Sequence, residues 1–204
     1  MPDKRIYLAS RSPRRRELLR QIGIGFELLL LREDPHRGAD VDETPLQGEA
    51  PSDYVLRIAR AKAQVAARQV MQRGLRPHPA LGADTTVVLD EALVGKPGSA
   101  EHAAQILTAL AGREHEVMTA VALSLRDRVE SALSVSSVEF RALSADEIQR
   151  YIASGEPFGK AGAYAIQGRA AAFVTRISGS YSGIMGLPLA ETAGLLGKFD
   201  IEAV

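Results

Sequence analysis

The chain has no cysteine in its 204 residues, which removes disulfides, thiolate zinc sites and cysteine nucleophiles together. Nor does it carry net charge, since 25 Lys and Arg balance 25 Asp and Glu. No long-range field therefore draws it to nucleic acid, although a local basic site for one small anion stays open. Aromatic residues make up 5%, too few for the stacking platforms of single-strand binders, so an RNA-binding role for the arginines at 14–16 is disfavoured. Apolar runs such as residues 28–31 are far too short to cross a bilayer. The opening MPDKRIYLAS lacks the apolar core and cleavage site of a secretory signal, and the expected compartment is the cytoplasm. His36, His78, His102 and His115 show no metal-ligand spacing, and no nucleophile elbow is present.

What remains is an ordinary globular composition, 46% hydrophobic and 25% charged. Residues 5–9 read as a short buried strand. Ser12 is a good N-cap and Pro13 suits the first helical position, so a helix is predicted over 13–21. Gly23 and Gly25 close it before a second strand over 26–31. Residues 32–52, with Pro35, Pro45 and Pro51, read as a long loop of the kind that is functional or disordered in compact domains. Tyr54, Ile58, Ala61 and Val65 recur at helical spacing, predicting an amphipathic helix over 53–73. Residues 80–94 read as strand, turn and strand, broken at Gly82-Ala83-Asp84 and again near Asp90-Glu91. A helix over 99–110 ends before Gly112, and a hairpin joins 116–125 to 130–140 across Arg126-Asp127. Ser144 and Glu147 have capping-box spacing for a helix to 154. A Gly-rich stretch over 155–186 precedes a last helix over 189–196. Strands alternating with helices, with one antiparallel pair, give an α/β class with a mixed sheet.

Five segments could carry chemistry. In Ala9-Ser10-Arg11-Ser12-Pro13-Arg14-Arg15 a strand enters a helix, whose N-terminus favours phosphate. Arg14 and Arg15 oppose the helix dipole there, at about 0.3–1 kcal/mol each if exposed, a cost that a bound anion would offset. Asp84 follows Gly82 and Ala83 at the expected strand break, where catalytic groups often sit in α/β proteins. Gly95-Lys96-Pro97 would return Lys96 to Asp84 across a hairpin. The acidic run Asp40-Val41-Asp42-Glu43 beside a phosphate site would call for a cation such as Mg²⁺ or Mn²⁺. Residues 159–168, with three glycines, Lys160 and Gln167, suggest backbone close to a ligand and an amide able to read a base. Each segment alone has an ordinary reading as a turn, a solvated loop or a surface lysine.

Their order along the chain closely resembles the Maf family of nucleotide pyrophosphatases. The resemblance rests on Ala-Ser-Arg-Ser-Pro-Arg-Arg at 9–15, Asp-Glu at 42–43, Ala-Arg-Ala-Lys-Ala at 59–63, Gly-Ala-Asp-Thr at 82–85, Gly-Lys-Pro at 95–97 and Lys-Ala-Gly-Ala-Tyr-Ala-Ile-Gln-Gly at 160–168. Gly-Ser-Tyr-Ser-Gly-Ile-Met-Gly-Leu-Pro-Leu-Ala-Glu-Thr at 179–192 is similar to the family's C-terminal signature. The stretch 160–168 resembles the branch acting on dTTP and UTP rather than that acting on 7-methyl-GTP. The resemblance implies one Maf/ITPase-like α/β domain over 1–204, a mixed twisted sheet flanked by helices, with two lobes around a deep nucleotide-binding cleft. It makes Asp84 the proton acceptor and places Arg14, Thr85 and Gln167 at specificity positions. It puts Ser10, Arg14, Lys62 and Lys96 on the phosphates, and Glu43 with Asp84 on a divalent metal cation. It further implies a nucleoside triphosphate substrate, frequent homodimers, no nucleic-acid or membrane partner, a house-cleaning role reaching modified pyrimidine nucleotides, and a link to cell-division arrest. Two departures stand out: Gly159 replaces a frequent aspartate before Lys160, and the loop over 32–50 is longer than usual. The alternatives are a modified purine nucleotide or 7-methyl-GTP as substrate, or a regulatory protein that binds without turnover.

Overall fold

The computed structural model describes residues 5–32 and 38–204. Pro35 and His36 of the expected loop lie outside the described residues, as do residues 1–4. The elements are β1 (Arg5–Leu8), α1 (Pro13–Gln21), β2 (Gly25–Leu28), α2 (Pro51–Gln72), β3 (Ala80–Leu89), β4 (Ala92–Val94) and α3 (Ala100–Leu110). There follow β5 (Glu114–Leu125), β6 (Arg128–Phe140), α4 (Ala145–Ala153), β7 (Val174–Ser178), α5 (Tyr181–Ile184) and α6 (Leu189–Gly197). Short 3-10 turns occupy Ala161–Ala163 and Arg169–Phe173.

The strands form one mixed seven-stranded sheet in the order β2-β1-β3-β5-β6-β7, with β4 added beside β3. β1 pairs in parallel with β2 and β3. The pairs β3-β4, β3-β5, β5-β6 and β6-β7 are antiparallel. Four antiparallel pairs thus replace the one expected, because the long β5-β6 hairpin recruits β3 on one side and β7 on the other. β7 was hidden within the Gly-rich stretch. β2 ends three residues early because β1 ends at Leu8, which takes a last bond from Leu29 N–H; Leu29 and Leu31 bury instead against α2.

Local signals start α1 and α4 where expected, while α2 begins at Pro51, two residues before the expected 53. Ser12 caps α1, with Pro13 at its first position. Ser144 and Glu147 form the full capping box of α4. α2 presents Val55, Ile58, Ala59, Ala63, Ala66, Ala67 and Val70 to the interior. The expected stripe of Tyr54, Ile58, Ala61 and Val65 is therefore rotated, and only Ile58 of those four is fully buried. The small residues on this face let the helix lie very close to the sheet. At Gly82 a Cβ would come within 2.5 Å of both Ala59 O and Ala63 N of α2. Gly82 is a packing contact, so β3 runs unbroken through Gly82-Ala83-Asp84 where a break was expected.

Successive side chains of a strand point to opposite faces. Leu81, Ala83 and Val87 of β3 join the main core with α1, α3, α4 and α6. Residues of the other parity, Gly82 and Asp84, face α2. One edge of β3 pairs with β5 from Ala80 to Val88. The opposite edge pairs with β1 only to Leu81 and with β4 only from Val87. No described strand covers that edge from 82 to 86, and the cleft opens there.

Candidate active site

The cleft has a volume of about 1090 Å³ and is bounded by the β1–α1 corner, the loop at 39–45, the middle of β3 and residues 158–166. An unpaired strand edge leaves backbone groups exposed. Arg15 serves this one: its Nη1 donates to Ala83 O at 2.9 Å and to Ser10 Oγ at 3.3 Å. Its Nε donates to Gly186 O at 2.7 Å, and its Nη2 to Thr85 Oγ1 at 3.1 Å. One guanidinium thus ties α1, the corner before it, β3 and the turn after α5 together. Desolvation lowers the Arg15 pKa, opposed by Asp84 and assisted by Arg14, yet an arginine remains charged.

Thr119 Oγ1 lies 2.7 Å from Gly183 O and 3.0 Å from Thr85 Oγ1. A hydroxyl has one hydrogen, and a carbonyl only accepts. Thr119 is the donor in both contacts and shares its one hydrogen between them, so Thr85 Oγ1 accepts from Thr119 and Arg15 and keeps its own hydrogen for the cleft.

On the other face of β3, buried Asp84 meets Lys62 of α2, whose Nζ lies 2.8 Å from Asp84 Oδ1. The same Nζ lies 2.8 Å from Glu43 Oε1. Burial works to raise the Glu43 pKa, but the charge and hydrogen bond of Lys62, then Lys96 and Arg15, hold it below its ordinary value. Glu43 sits on a loop strapped to α2. Arg57 pairs with Glu49 at 2.6 and 2.7 Å, and donates to Thr44 O at 3.0 Å and Asp42 O at 3.5 Å. Tyr54 Oη donates to Glu43 O at 3.1 Å. Burial, then the charges of Asp84 and Glu43, push that phenol up to about 12, so it stays a neutral donor.

The facing wall carries Lys160, whose Nζ donates to the carbonyls of Glu156 and Phe158. Burial and then the charge of Arg14 lower its pKa against Glu156. Phe158, Tyr164, Ile166 and Met185 add apolar surface. Behind them, buried His115 shares a 2.8 Å hydrogen bond between Nε2 and Tyr164 Oη, and burial lowers its pKa to about 4. It backs the wall as a neutral ring.

Ser10, Arg14, Glu43, Lys62, Asp84, Thr85 and Lys96 all line one cleft. Gln167 does not: it is exposed and lies outside the lining, although its neighbour Ile166 belongs to it. Arg14 and Lys96 make no hydrogen bond or ion pair among the described residues, which leaves both cations to the cleft. Arg15 answers the first-turn anomaly differently from its neighbour, through four oxygens of the protein itself. The Arg57 and Tyr54 clamp was not anticipated; a loop with Glu49 beside the basic face of α2 was its only signal. Among the described residues no three His, Asp or Glu side chains converge as a metal cage. Two carboxylates sharing one cation do suit Mg²⁺ or Mn²⁺, which commonly takes one or two carboxylates and completes its shell with phosphate and water oxygens.

The family described as "Maf-like protein" matches residues 5–199. A "dTTP/UTP pyrophosphatase" of Nitrosomonas europaea is 58% identical over 197 residues, covering 97% of this chain and 95% of the relative. Proteins of the same name from Aromatoleum aromaticum and Ralstonia nicotianae are each 58% identical, covering 96% and 98% of this chain and 95% and 96% of theirs. Among solved structures, the Staphylococcus aureus Ham1 protein aligns at a TM-score of 0.45 with 16% identity, over 67% of this chain and 71% of that one.

Proposed function

The chain belongs to the Maf-like protein family, and from that premise we propose that it is a nucleotide pyrophosphatase hydrolysing dTTP and UTP to the monophosphate and pyrophosphate. High identity to dTTP/UTP pyrophosphatases over nearly the whole of both chains supports the activity. The single structural observation that carries it is the buried carboxylate of Asp84 at the open middle of β3, paired with Lys62 in a cleft that Arg14 and Lys96 also line.

In phosphoryl transfer a protein mainly positions groups and neutralises charge. Asp84 accepts a proton from water, whose oxygen bonds to the α-phosphorus as the bond to the bridging oxygen breaks and pyrophosphate leaves with the electron pair. Ser10, the α1 N-terminus and Arg14 receive phosphate oxygens, joined by Lys62 and Lys96 as charge builds on the leaving group. Glu43 and Asp84 would hold a divalent cation, which supplies further neutralisation of the phosphates. Thr85 gives a chemical reason for the base preference. Thymine and uracil carry a carbonyl O4 acceptor where cytosine has an amino donor, and the Thr85 hydroxyl keeps its hydrogen to donate. Arg14 and Gln167 complete the specificity set, Gln167 by reaching the base from outside the present cleft lining. Modified pyrimidine nucleotides that keep the O4 carbonyl fit the same reading, as does a house-cleaning role in a cytoplasmic setting. All these residues come from one chain, so a homodimer would not be needed to complete the site. Among the described residues no helix is long and apolar enough to cross a membrane.

Hydrolysis of dTTP and UTP in ¹⁸O-labelled water tests the reaction. The label is expected in the monophosphate, with pyrophosphate unlabelled. Label in pyrophosphate, or diphosphate with orthophosphate as products, would place the attack at another phosphorus and overturn the reading.

A further inference from the structure

The carboxylates assigned to the metal already share a cation of the protein's own. Lys62 Nζ lies 2.8 Å from both Glu43 Oε1 and Asp84 Oδ1, with the Lys62 and Asp84 side chains only 15% and 12% exposed. We propose that Lys62 is an exchangeable stand-in for the metal: it holds the carboxylate pair until the metal binds and moves onto the incoming phosphates when the metal takes its place. This rests on the reading of Glu43 and Asp84 as metal ligands.

The surroundings decide which partner moves. Asp84 is fixed by the strand, and Glu43 by the Arg57 and Tyr54 clamp on its backbone. The Cα of Lys62 is fixed too, because α2 lies against Gly82; even a Cβ at Gly82 would come 2.9 Å from Lys62 Cβ. The flexible four-carbon stem leaves its ammonium free to swing. That ammonium has three hydrogens for two carboxylate partners, so one can reach a third acceptor in the cleft. An ammonium and a divalent cation cannot share two oxygens without strong repulsion, and phosphate is what draws the ammonium away. Metal and nucleotide then bind with positive coupling, and metal alone binds weakly. A carboxylate pair without Lys62 or metal would repel itself, so the lysine also keeps the cleft assembled until the metal binds.

Mn²⁺ titration of the whole protein, followed by the electron paramagnetic resonance signal of the free ion, tests this with and without a non-hydrolysable α,β-methylene UTP. Lys62→Met is expected to bind Mn²⁺ alone about tenfold or more tightly than wild type, as charge-assisted bonds no longer have to break first. The analogue is expected to tighten Mn²⁺ strongly in wild type and less in the variant. Equal Mn²⁺ affinity without nucleotide would overturn the exchange while leaving the metal site standing. Binding by neither protein, even with the analogue, would overturn the metal reading and the exchange with it. Should Lys62→Met fail to fold, the ¹⁵N resonance of Lys62 Nζ in wild type decides. It is expected to shift when Mg²⁺ and the analogue are added together, and an unchanged resonance would contradict the exchange.

Discussion

Asp84 and Glu43 meet at one lysine, yet the supports behind them are built differently. Asp84 stands on a strand paired along its length with β5, and its neighbours Ala83 and Thr85 are tied by Arg15 to a corner of the fold more than 60 residues away in sequence. Those contacts are shielded, so an acceptor that loses its partner there faces the full cost of desolvation. Glu43 stands on a loop held from outside. Arg57 grips Glu49 and two carbonyls, while Arg32 and Gln69 hold Asp40, with Arg32 Nη2 2.8 Å from Asp40 Oδ1. The carboxylates of these pairs are shielded, but their arginines are 32% and 67% exposed, so salt can screen the pairs. The contrast separates two tasks: the proton acceptor is built into the sheet, and the second carboxylate arrives on an arm that can be loosened without unfolding the protein.

The strongest way to break the contrast is Arg15→Met. It strips partners from Ala83 O, Gly186 O and two hydroxyls, and is expected to lower stability by about 2–4 kcal/mol and kcat/KM by about 10²-fold through misplacement of the β3 edge. Thermal melting and kinetics check this, and Arg15→Lys should not restore activity, because a lysine lacks the planar fork. Thr85→Val probes the same support at one atom. The fold should persist, while the preference for UTP over CTP falls by about tenfold or more, as expected when a matched donor is lost. Arg57→Ala attacks the arm. The metal concentration for half-maximal activity should rise about tenfold while kcat at saturating metal changes little, since only the ordering of Glu43 is lost. Added salt should move wild type towards the variant.

The smallest effect is the pH dependence of that arm. The Arg57 hydrogen bond first of all, with the Leu46 N–H, lowers the Glu49 carboxyl from 4.5 to about 2 in the folded protein. A folded-state pKa below the unfolded one contributes stability that is complete above the unfolded value and lost as pH falls towards the folded one. The melting temperatures of wild type and Glu49→Gln should therefore differ at pH 6–8 and converge as pH falls from about 4.5 towards 2. A difference that persisted at low pH would mean the pair contributes through packing.

The sequence made the locally encoded parts legible. Ser12-Pro13, the Ser144–Glu147 box and the Arg126-Asp127 turn each act within a few residues, and the elements they start or join appear where expected. The cleft residues were legible as an ordered set of short motifs. What escaped depends on distant partners. Gly82 looked like a strand break because nothing near it in sequence shows that Ala59 and Ala63 press against it. The contacts of Arg15 lie up to 171 residues away, so only its discomfort in a helix first turn was visible. The buried face of α2 escaped because alanines, and not bulky residues, do its close packing. β7 escaped because it is short and exposed along most of its length.

The measurement that bears most directly on the account is the turnover of dTTP by Asp84→Asn at saturating metal, with products resolved and nucleotide binding measured alongside. The expected result is a folded protein that still binds nucleotide and forms dTMP and pyrophosphate about 10²–10⁴-fold more slowly. Turnover within a few-fold of wild type would contradict it, and the proton acceptor would have to be sought elsewhere in the cleft.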